Sequence, residues 1–321
     1  NSDKDIDKTL KSIQKQAYRK IEVIAVDNSS KDRTLDILTK YSFVYLIKNK
    51  VNVGFSKANN QGIHIAKGKH ILLLNPDARL TSSSLSLLFS CMESNPHLGF
   101  VSPKLLKPNK KTLDSTGIQA TPERRFFDRG RGEVDHHQYD SQTDIFAGCG
   151  AALLLRRKAL ENIKLNGEYL DEDFFAYYED VDLCWRMRLS GWNGMYCPEA
   201  IVYHQRGHDL ARHDTLPLLM FLRQRLFRSK KPSDSSIRRL SFRNSFWILI
   251  KNDSSYELFL QFFRVIYYWC RRLVYTLLVE PYILFALLAF IRGIPKMLRK
   301  RKLIKKSRKV QPVQLRSFFK L

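Results

Sequence analysis

Apolar segments alternate with more polar ones through the first quarter of this 321-residue chain. The apolar segments are short and rich in β-branched residues or leucine, so they are predicted strands: residues 21–26, 43–47 and 71–74. The segments around them are predicted helices: residues 5–17, 32–41 and 59–66. This alternation predicts an α/β fold, in which helices flank a Rossmann-like, mostly parallel sheet.

Polar side chains stand where two of the predicted strands end. Asp27 and Asn28 follow the first strand, and Asn75 and Asp77 follow the third. Sheets of this class bind ligands at the carboxyl ends of their strands. The carboxylate of Asp27 can accept a hydrogen bond from a base or a ribose hydroxyl, and that of Asp77 can hold a hard cation bound to a diphosphate. Turn formation explains both clusters equally well, because Asp, Asn and Ser favour turns.

Two stretches interrupt the regular pattern. Residues 52–62 contain two glycines around paired amides, which is typical of a loop and a helix cap. Residues 100–147 contain several prolines and glycines and many charges, which predicts a long surface loop. The chain then returns to a segment of small residues, 146–155, that leads into another predicted strand.

Three acids crowd the head of a predicted helix in the second half of the chain: Glu179, Asp180 and Asp182. Neighbouring carboxylates raise one another's pKa, as a general base requires. A short β-like segment follows at residues 200–203 and ends on His204. This layout fits a base and a metal ligand on adjacent elements. A solvated helix N-terminus with an incidental histidine fits it too, since the helix dipole favours acids there.

Basic residues are concentrated at the C-terminus. The net charge is +24, and residues 292–321 carry half of it, with no acid among them. Such a tail can meet an anionic membrane surface or nucleic acid, but no nucleic-acid-binding motif accompanies it. We therefore expect a membrane surface as partner and no nucleic acid.

The segment before this tail, residues 273–291, is apolar except for Glu280. It is long enough to be considered as a membrane span. A central Glu280-Pro281 pair and basic flanks on both sides fit better with two shorter helices, broken at Pro281, that lie in the membrane interface. A buried helical hairpin packed on the main domain is the alternative.

Five motifs together resemble the inverting glycosyltransferases of family 2, which have the GT-A fold, and in particular their bacterial rhamnosyltransferase branch. They are VDNSSKD at 26–32, NVGFSKANNQGI at 52–63, LLLNPDA at 72–78, DEDFFAYYEDVDLCWRMRLSGW at 171–192 and PEAIVYHQRG at 198–207. Each motif is weakly specific, whereas five in the family's order and spacing are highly specific. The resemblance covers about residues 1–210.

The resemblance implies a role for particular residues. Asp180 would be the catalytic base, with Glu179 and Asp182 as supporting neighbours. Asp77, in the place of the family's DXD motif, and His204 would hold a divalent cation, Mg²⁺ or Mn²⁺. The nucleotide-sugar site would consist of Asp27, Asn28, Asn59, Asn75 and Asp77.

The same resemblance implies an activity and a location. We expect inverting transfer of a sugar, first of all rhamnose, from a nucleoside-diphosphate sugar to a lipid-linked or surface polysaccharide acceptor. We expect the enzyme at the cytoplasmic face of the bacterial inner membrane, peripheral or partly embedded through its C-terminal segment. The alternatives are a transferase of the same fold with a galactofuranosyl, glucosyl or N-acetylglucosaminyl donor, and an inactive, truncated membrane-bound scaffold.

The chain divides into a predicted GT-A domain, residues 1–230, and a basic, apolar helical region, residues 231–321. Members of the family open with a strand that leads into a turn, and Asn1-Ser2 occupies the place of that turn. We therefore expect the first strand of the sheet to be missing from this sequence. Loss of a central strand would expose unpaired backbone groups on its neighbours. Either the sequence is therefore a fragment, or the chain would be unstable and poorly active.

Overall fold

The computed structural model describes residues 1–206, 232–279, 283 and 285–319. Ten strands lie in the first of these ranges: β1 (Val23–Asp27), β2 (Val44–Lys48), β3 (His70–Leu74), β4 (Ala78–Leu80), β5 (Leu98–Leu106), β6 (Leu113–Ser115), β7 (Ile118–Ala120), β8 (Phe126–Asp128), β9 (Ala152–Arg156) and β10 (Asn193–His204). The three strands predicted from the alternation are confirmed as β1, β2 and β3.

Helices accompany the strands in the same range: α1 (Ile6–Gln14), α2 (Thr34–Leu38), α3 (Phe55–Ile65), α4 (Ser84–Ser94), α5 (Arg157–Asn162) and α6 (Glu179–Leu189). Four more lie in the C-terminal ranges: α7 (Pro232–Asn252), α8 (Ser255–Leu260), α9 (Phe262–Val279) and α10 (Phe285–Ser307). Short 3-10 helices span Glu172–Phe174 and Pro312–Phe319. The predicted α/β class, with helices around a central sheet, is therefore confirmed.

The central sheet is mixed. Its strand order is β3-β9-β5-β10-β4, and β6 pairs with β5 beside this path. Of the strands that the structure describes, only β5 and β10 are parallel neighbours in this sheet. Strand β9 lies between β3 and β5 and is antiparallel to both. Strand alternation predicted a mostly parallel sheet, so the antiparallel pairing is the main difference from that expectation. The β1–β2 pair, which is parallel, forms a separate two-stranded sheet.

The β1–β2 sheet has no backbone pairing with the central sheet in the described part of the chain. Among the described strands, β1 pairs only with β2, and the only strand that pairs with β3 is β9. Helix α1 contacts β4, and α3 contacts β1, so helices rather than backbone pairing join the two sheets.

The prediction of a surface loop for residues 100–147 is wrong. Strand β5 is buried throughout, and the side chains of Leu113, Asp114 and Ser115 in β6 are completely buried. Strands β7 and β8 form a separate antiparallel hairpin. Strands of three residues have almost no periodicity, and their glycines and prolines mark tight turns rather than a long loop.

The C-terminal helices share the core of the sheet domain. Trp247 and Ile248 of α7 and Met297 of α10 belong to the same buried cluster as Leu155 and Trp185. No helix among the described residues is long and apolar enough to cross a membrane. The predicted break at Glu280-Pro281 lies outside the described residues, as does the predicted domain boundary at 230/231.

Candidate active site

The turn after β3 brings Asp77 to the end of β10. His204 is the last residue of β10 and lies opposite Ala78 in the antiparallel register with β4. The backbone N–H of Gln205 donates to the carbonyl oxygen of Asp77 at 3.1 Å. As a result, Oδ1 of Asp77 lies 3.3 Å from Nε2 of His204. Two side chains separated by more than a hundred residues in sequence thus meet where the strands end.

The other ring nitrogen of His204 is held by a buried acid. Nδ1 lies 2.8 Å from Oδ2 of Asp114, whose side chain is completely buried in β6. Arg206 donates to Oδ1 of Asp114 at 2.6 Å and to Oδ2 of Asp128, at the end of β8, at 2.5 Å. This chain of contacts fixes the orientation of the imidazole, so that Nε2 faces Asp77.

Burial lowers the pKa of His204, but the hydrogen bond with Asp114 and the contact with Asp77 outweigh it and raise that pKa to about 9. The ring is therefore charged and paired with Asp77 when no cation is bound. A cation would take the place of the proton on Nε2, because a histidine ligand must be neutral. A histidine that binds a metal through one ring nitrogen commonly donates the N–H of the other to a carboxylate, and Asp114 is in that position on His204. Asp77 and His204 therefore fit a divalent cation.

Asp180 lies in the first turn of α6, against the segment that precedes β9. Its Oδ2 accepts from the backbone N–H of Gly150 at 2.9 Å, and its Oδ1 accepts from that of Val181 at 2.8 Å. A Cβ at position 150 would come within 3.3 Å of the Cβ of Asp180, so glycine permits this close approach. Burial raises the pKa of Asp180 despite these two hydrogen bonds, and the charge of Asp128 adds to the rise.

The two neighbouring acids have opposite environments. Burial, followed by the charge of Asp180, raises the pKa of Glu179 to about 8. Asp182 is completely buried as well, but Arg186 and Lys251 outweigh its burial and lower its pKa. The expectation that all three acids raise one another's pKa is therefore wrong for Asp182. The alternative of a solvated helix N-terminus is wrong too, because the side chains of Glu179 and Asp182 are buried.

Asp27 ends β1 with a largely buried carboxylate. Its Oδ2 lies 3.4 Å from the backbone nitrogen of Ser30, whereas its buried Oδ1 has no hydrogen-bond partner among the described residues. A buried oxygen of this kind costs free energy unless it finds a donor, so it is a suitable acceptor for a ligand.

Two of the three predicted asparagines, Asn28 and Asn59, form side-chain hydrogen bonds with other residues of the protein. The side-chain amide of Asn28 donates to Asn52 and to the carbonyl of Gly54, and its oxygen accepts from Val53 and Asn49. Asn28 therefore shapes the loop after β2 from within. Asn59 donates to the carbonyl of Phe55 in its own helix.

Asn75 is connected to the segment beside Asp180 through its backbone. Its N–H donates to the carbonyl of Ala151 at 2.8 Å, while the N–H of Gly150 donates to Asp180. The segment 149–151 thus lies between the Asp77–His204 pair and the candidate base. Asn75 and Asp180 thus bind to one backbone segment, whereas Asp27 ends a strand of the separate β1–β2 sheet.

Sequence reasoning missed Asp114, Asp128 and Arg206. The two acids lie in the short strands that were interpreted as a surface loop. Arg206 lies two residues after His204 in the motif at 198–207. An arginine so close to a candidate metal ligand could have indicated a further residue of the site.

A family model described as Glycosyl transferase family 2 matches residues 1–164, just over half of the chain. Two curated relatives are an N-acetylglucosaminyl-diphospho-decaprenol L-rhamnosyltransferase of Mycobacterium tuberculosis and the Escherichia coli protein named UDP-Glc:alpha-D-GlcNAc-diphosphoundecaprenol beta-1,3-glucosyltransferase WfaP. The first is 26% identical over 233 residues, which are 64% of this chain and 74% of the relative. The second is 35% identical over 175 residues, which are 54% of this chain and 63% of the relative.

The fold is similar to that of a solved structure that contains a nucleotide sugar. The structure of S. aureus TarS 1-349 in complex with UDP-GlcNAc matches with a TM-score of 0.54 at 17% identity. The match covers 99% of this chain and 85% of the TarS chain. At this identity the likeness concerns the fold alone.

Proposed function

The chain belongs to glycosyl transferase family 2, and we propose that it transfers a hexosyl group, with inversion, from a nucleoside-diphosphate sugar to a lipid-linked acceptor. The observation that carries this proposal is the placement of two chemically different sites around residues 149–151. On one side the Asp77–His204 pair, 3.3 Å apart, fits a cation, and on the other Asp180 presents a carboxylate of raised pKa.

Asp180 would act as the base. An acceptor hydroxyl attacks the anomeric carbon as the bond to the diphosphate oxygen breaks, and the electron pair of that bond leaves with the nucleoside diphosphate. The hydroxyl proton passes to the carboxylate of Asp180. A buried carboxylate of raised pKa accepts a proton more readily than a solvated one, which supports this assignment.

The donor would be held from both sheets. Oδ1 of Asp27, which has no hydrogen-bond partner among the described residues, would accept a hydrogen bond from a base, and the loop shaped by Asn28 would border it. Asn59 and Asn75 would complete this side of the site. Asp77 and His204 would hold Mg²⁺ or Mn²⁺, which stabilises the negative charge that develops on the departing diphosphate.

Rhamnose is the first candidate for the sugar, since the mycobacterial relative is named as a rhamnosyltransferase. The name of the E. coli relative supports a glucosyl donor as the alternative. Both names describe acceptors that are sugars linked to a polyprenol diphosphate. A lipid-linked acceptor of that chemistry is therefore the substrate class that we propose for this chain.

The C-terminal helices would hold the enzyme to the membrane that contains such an acceptor. Helices α8, α9 and α10 expose many large apolar side chains: Tyr256, Phe259, Leu260, Phe262, Phe263, Ile266, Tyr267, Val274, Leu278, Phe285, Leu288, Ile291 and Leu298. All charged residues of α9 and α10 are basic. Apolar side chains among basic ones favour the interface of an anionic membrane. We propose the cytoplasmic face of the bacterial inner membrane, with residues 1–230 as the transferase unit and 231–321 as the attached helical region.

A transfer assay tests this function. The purified chain is incubated with a polyprenol-diphosphate-linked N-acetylglucosamine, Mn²⁺ and, in separate reactions, dTDP-rhamnose, UDP-glucose and UDP-N-acetylglucosamine. We expect acceptor-dependent release of the nucleoside diphosphate with one donor, a product of inverted anomeric configuration, and loss of turnover with chelator. Absence of transfer with every donor, together with no metal-dependent binding of a nucleoside diphosphate, would support an inactive scaffold instead.

A further inference from the structure

The turn that leads into α6 has an unusual backbone. Phe175, Tyr177 and Tyr178 have φ values of 64°, 71° and 71°, in the left-handed region. None of them is glycine, and a positive φ is unfavourable for a residue with a side chain. Asp180 follows two residues later. Contacts from elsewhere in the molecule must therefore keep the turn in this conformation.

Those contacts come from α7. The side chain of Asn244 is completely buried, and its Nδ2 lies 2.9 Å from the carbonyl oxygen of Phe174, 2.9 Å from that of Ala176 and 2.8 Å from that of Tyr177. Arg243 donates to the amide oxygen of Asn244 at 3.0 Å, which orients the amide with its N–H groups towards the turn.

The opposite side of the turn contacts the loop after β2. The backbone N–H of Ser56 donates to the carbonyl of Phe175 at 3.1 Å. The ring of Phe175 lies so close to Gly54 that a Cβ there would come within 2.5 Å of it. The turn is thus held between the loop that Asn28 shapes and helix α7, and its end sets the position of Asp180.

We propose that Asn244 is a positioning residue for the transfer reaction. It keeps the turn 174–178, with its three residues of positive φ, in the conformation that directs Asp180 against Gly150. This inference rests on the proposed function, in which Asp180 is the base. It assigns part of the active-site geometry to a helix beyond residues 1–164, the region that the family model matches.

Loss of the amide has a specific physical consequence. The two N–H groups of Nδ2, which the carbonyl oxygens of Phe174, Ala176 and Tyr177 surround, would be lost, and of these carbonyls that of Phe174 would keep a side-chain donor, Arg243 at 3.2 Å. The strained turn could then relax towards negative φ. The first turn of α6 would then shift, and a misplacement of about 1 Å in a reacting group can reduce the rate roughly 100-fold. Donor binding would be less affected, because Asp27, Asp77 and His204 lie on other elements.

The test compares Asn244→Ala and Asn244→Asp with Ser245→Ala in the full chain. Ser245 is the next residue of α7 and equally buried, but its hydroxyl donates to the carbonyl of Phe242 within the helix. We expect kcat to fall about 10- to 100-fold in Asn244→Ala, and further in Asn244→Asp, where a carboxylate would face the three carbonyls. The affinity for the nucleoside diphosphate with Mn²⁺ should change less than about 3-fold, and Ser245→Ala should retain kcat.

Two readouts separate positioning from general damage. Hydrogen exchange of residues 174–182 should accelerate in Asn244→Ala but not in Ser245→Ala, and this measurement does not require activity. Adding Tyr177→Gly, which permits positive φ without strain, should restore part of the lost kcat.

Equal kcat in Asn244→Ala and Ser245→Ala, or unchanged exchange of residues 174–182, would overturn the positioning role. A parallel loss of kcat and nucleotide affinity without rescue by Tyr177→Gly would overturn it as well. If Asp180→Asn is inactive while Asn244→Ala is fully active, only this inference fails. Full activity of Asp180→Asn would instead refute the proposed base.

Discussion

Neighbouring acids at the head of α6 differ because their surroundings differ. Glu179 is buried beside Asp180, and burial followed by the charge of Asp180 raises its pKa to about 8. Asp182 lies between Arg186 and Lys251, which lower its pKa. Asp180 accepts two backbone hydrogen bonds and still has a raised pKa. At physiological pH, Glu179 therefore retains its proton and does not repel the ionised form of Asp180.

Replacing Glu179 with Gln should make the stability less dependent on pH. The pKa of Glu179 is raised from 4.5 in the unfolded chain to about 8 in the folded one. The folded state therefore binds the extra proton, and the wild type loses stability as the pH rises from about 5 to 8. Relative to the wild type, Glu179→Gln should gain unfolding free energy over this range, by at most about 1.4 kcal/mol per pH unit.

Urea unfolding at pH 5, 6.5 and 8 measures this difference. Glu133→Gln, on the exposed surface, is the control for removal of a carboxylate in general. A difference between Glu179→Gln and the wild type that stays constant with pH would refute the protonated state of Glu179.

Asp114 should support cation binding although it is not a ligand itself. Asp114→Asn would weaken the fixed orientation of the His204 ring, so the affinity for Mn²⁺ should fall about 10- to 100-fold. Titration calorimetry with Mn²⁺, in the presence of a nucleoside diphosphate, measures the change in this affinity. Asp144→Asn, an exposed acid that pairs with Arg188, should leave the affinity unaltered. Equal affinities in both variants would show that Asp114 has no such role.

Sequence reasoning found some members of this site but not others. Asp77 and His204 were paired through motifs at strand ends, and their side chains do meet. The roles of Asp27 and Asp180 stay predictions, as do those of Asn28, Asn59 and Asn75. Asp114 could not be found, because a buried acid in a three-residue strand has the same local sequence as an acid in a loop.

Helix α7 contacts the catalytic region through a buried ion cluster. Lys251, fully buried, lies 2.5 Å from Oδ2 of Asp171 and 2.7 Å from Oδ1 of Asp182. Lys300 of α10 also contacts Asp171, and Asn252 donates to Asp182 at 2.8 Å. The C-terminal helices thus stabilise both sides of the turn that leads to Asp180.

Removing the charge of Lys251 should destabilise the fold strongly. Lys251→Met removes the cation that two buried carboxylates share, while Asp171 keeps Lys300 and Asp182 keeps Arg186, so we expect a loss of up to about 3–5 kcal/mol. Lys296→Met is the matched control, because that half-exposed lysine contacts only the partly exposed Asp173 among the ion pairs of the described residues and should cost less than about 1 kcal/mol. Equilibrium unfolding in urea compares them, and similar losses in the two variants would contradict a structural role for the cluster.

Elements with regular periodicity were predictable, whereas their pairing was not. The apolar runs of β1, β2 and β3 and the acids that open α6 could be recognised locally. The antiparallel entry of β9 depends on contacts with β3 and β5 from distant parts of the chain. The same is true of α7, whose polar residues Asn244 and Lys251 are buried only because the turn and α6 pack on them.

The whole molecule has two contrasting surfaces. The transferase region buries most of its apolar residues in several core clusters, whereas α8, α9 and α10 expose aromatic side chains such as Phe263, which is 85% exposed, and Tyr267, which is 69% exposed. A surface that exposes many large apolar side chains typically contacts another protein or a membrane.

Vesicle flotation tests the proposed membrane contact. The chain should float with vesicles that contain phosphatidylglycerol, and less with neutral vesicles or at high salt. Phe263→Ser with Tyr267→Ser should weaken binding at least about 10-fold, since burial of one large apolar side chain contributes roughly 1.5–3 kcal/mol. The control is Tyr45→Ser on β2, where the tyrosine is 64% exposed. Equal flotation of the double variant and the control would exclude this face as the contact.

The central claim is that Asp180 removes the acceptor proton beside a donor held by other residues. Transfer rate and nucleoside-diphosphate affinity, measured on Asp180→Asn, test it most directly. The account predicts a rate about 10²- to 10⁴-fold below that of the wild type, with the affinity within about 3-fold, whereas Asp77→Ala should lose both. An Asp180→Asn variant that transfers sugar at nearly the wild-type rate would contradict the account.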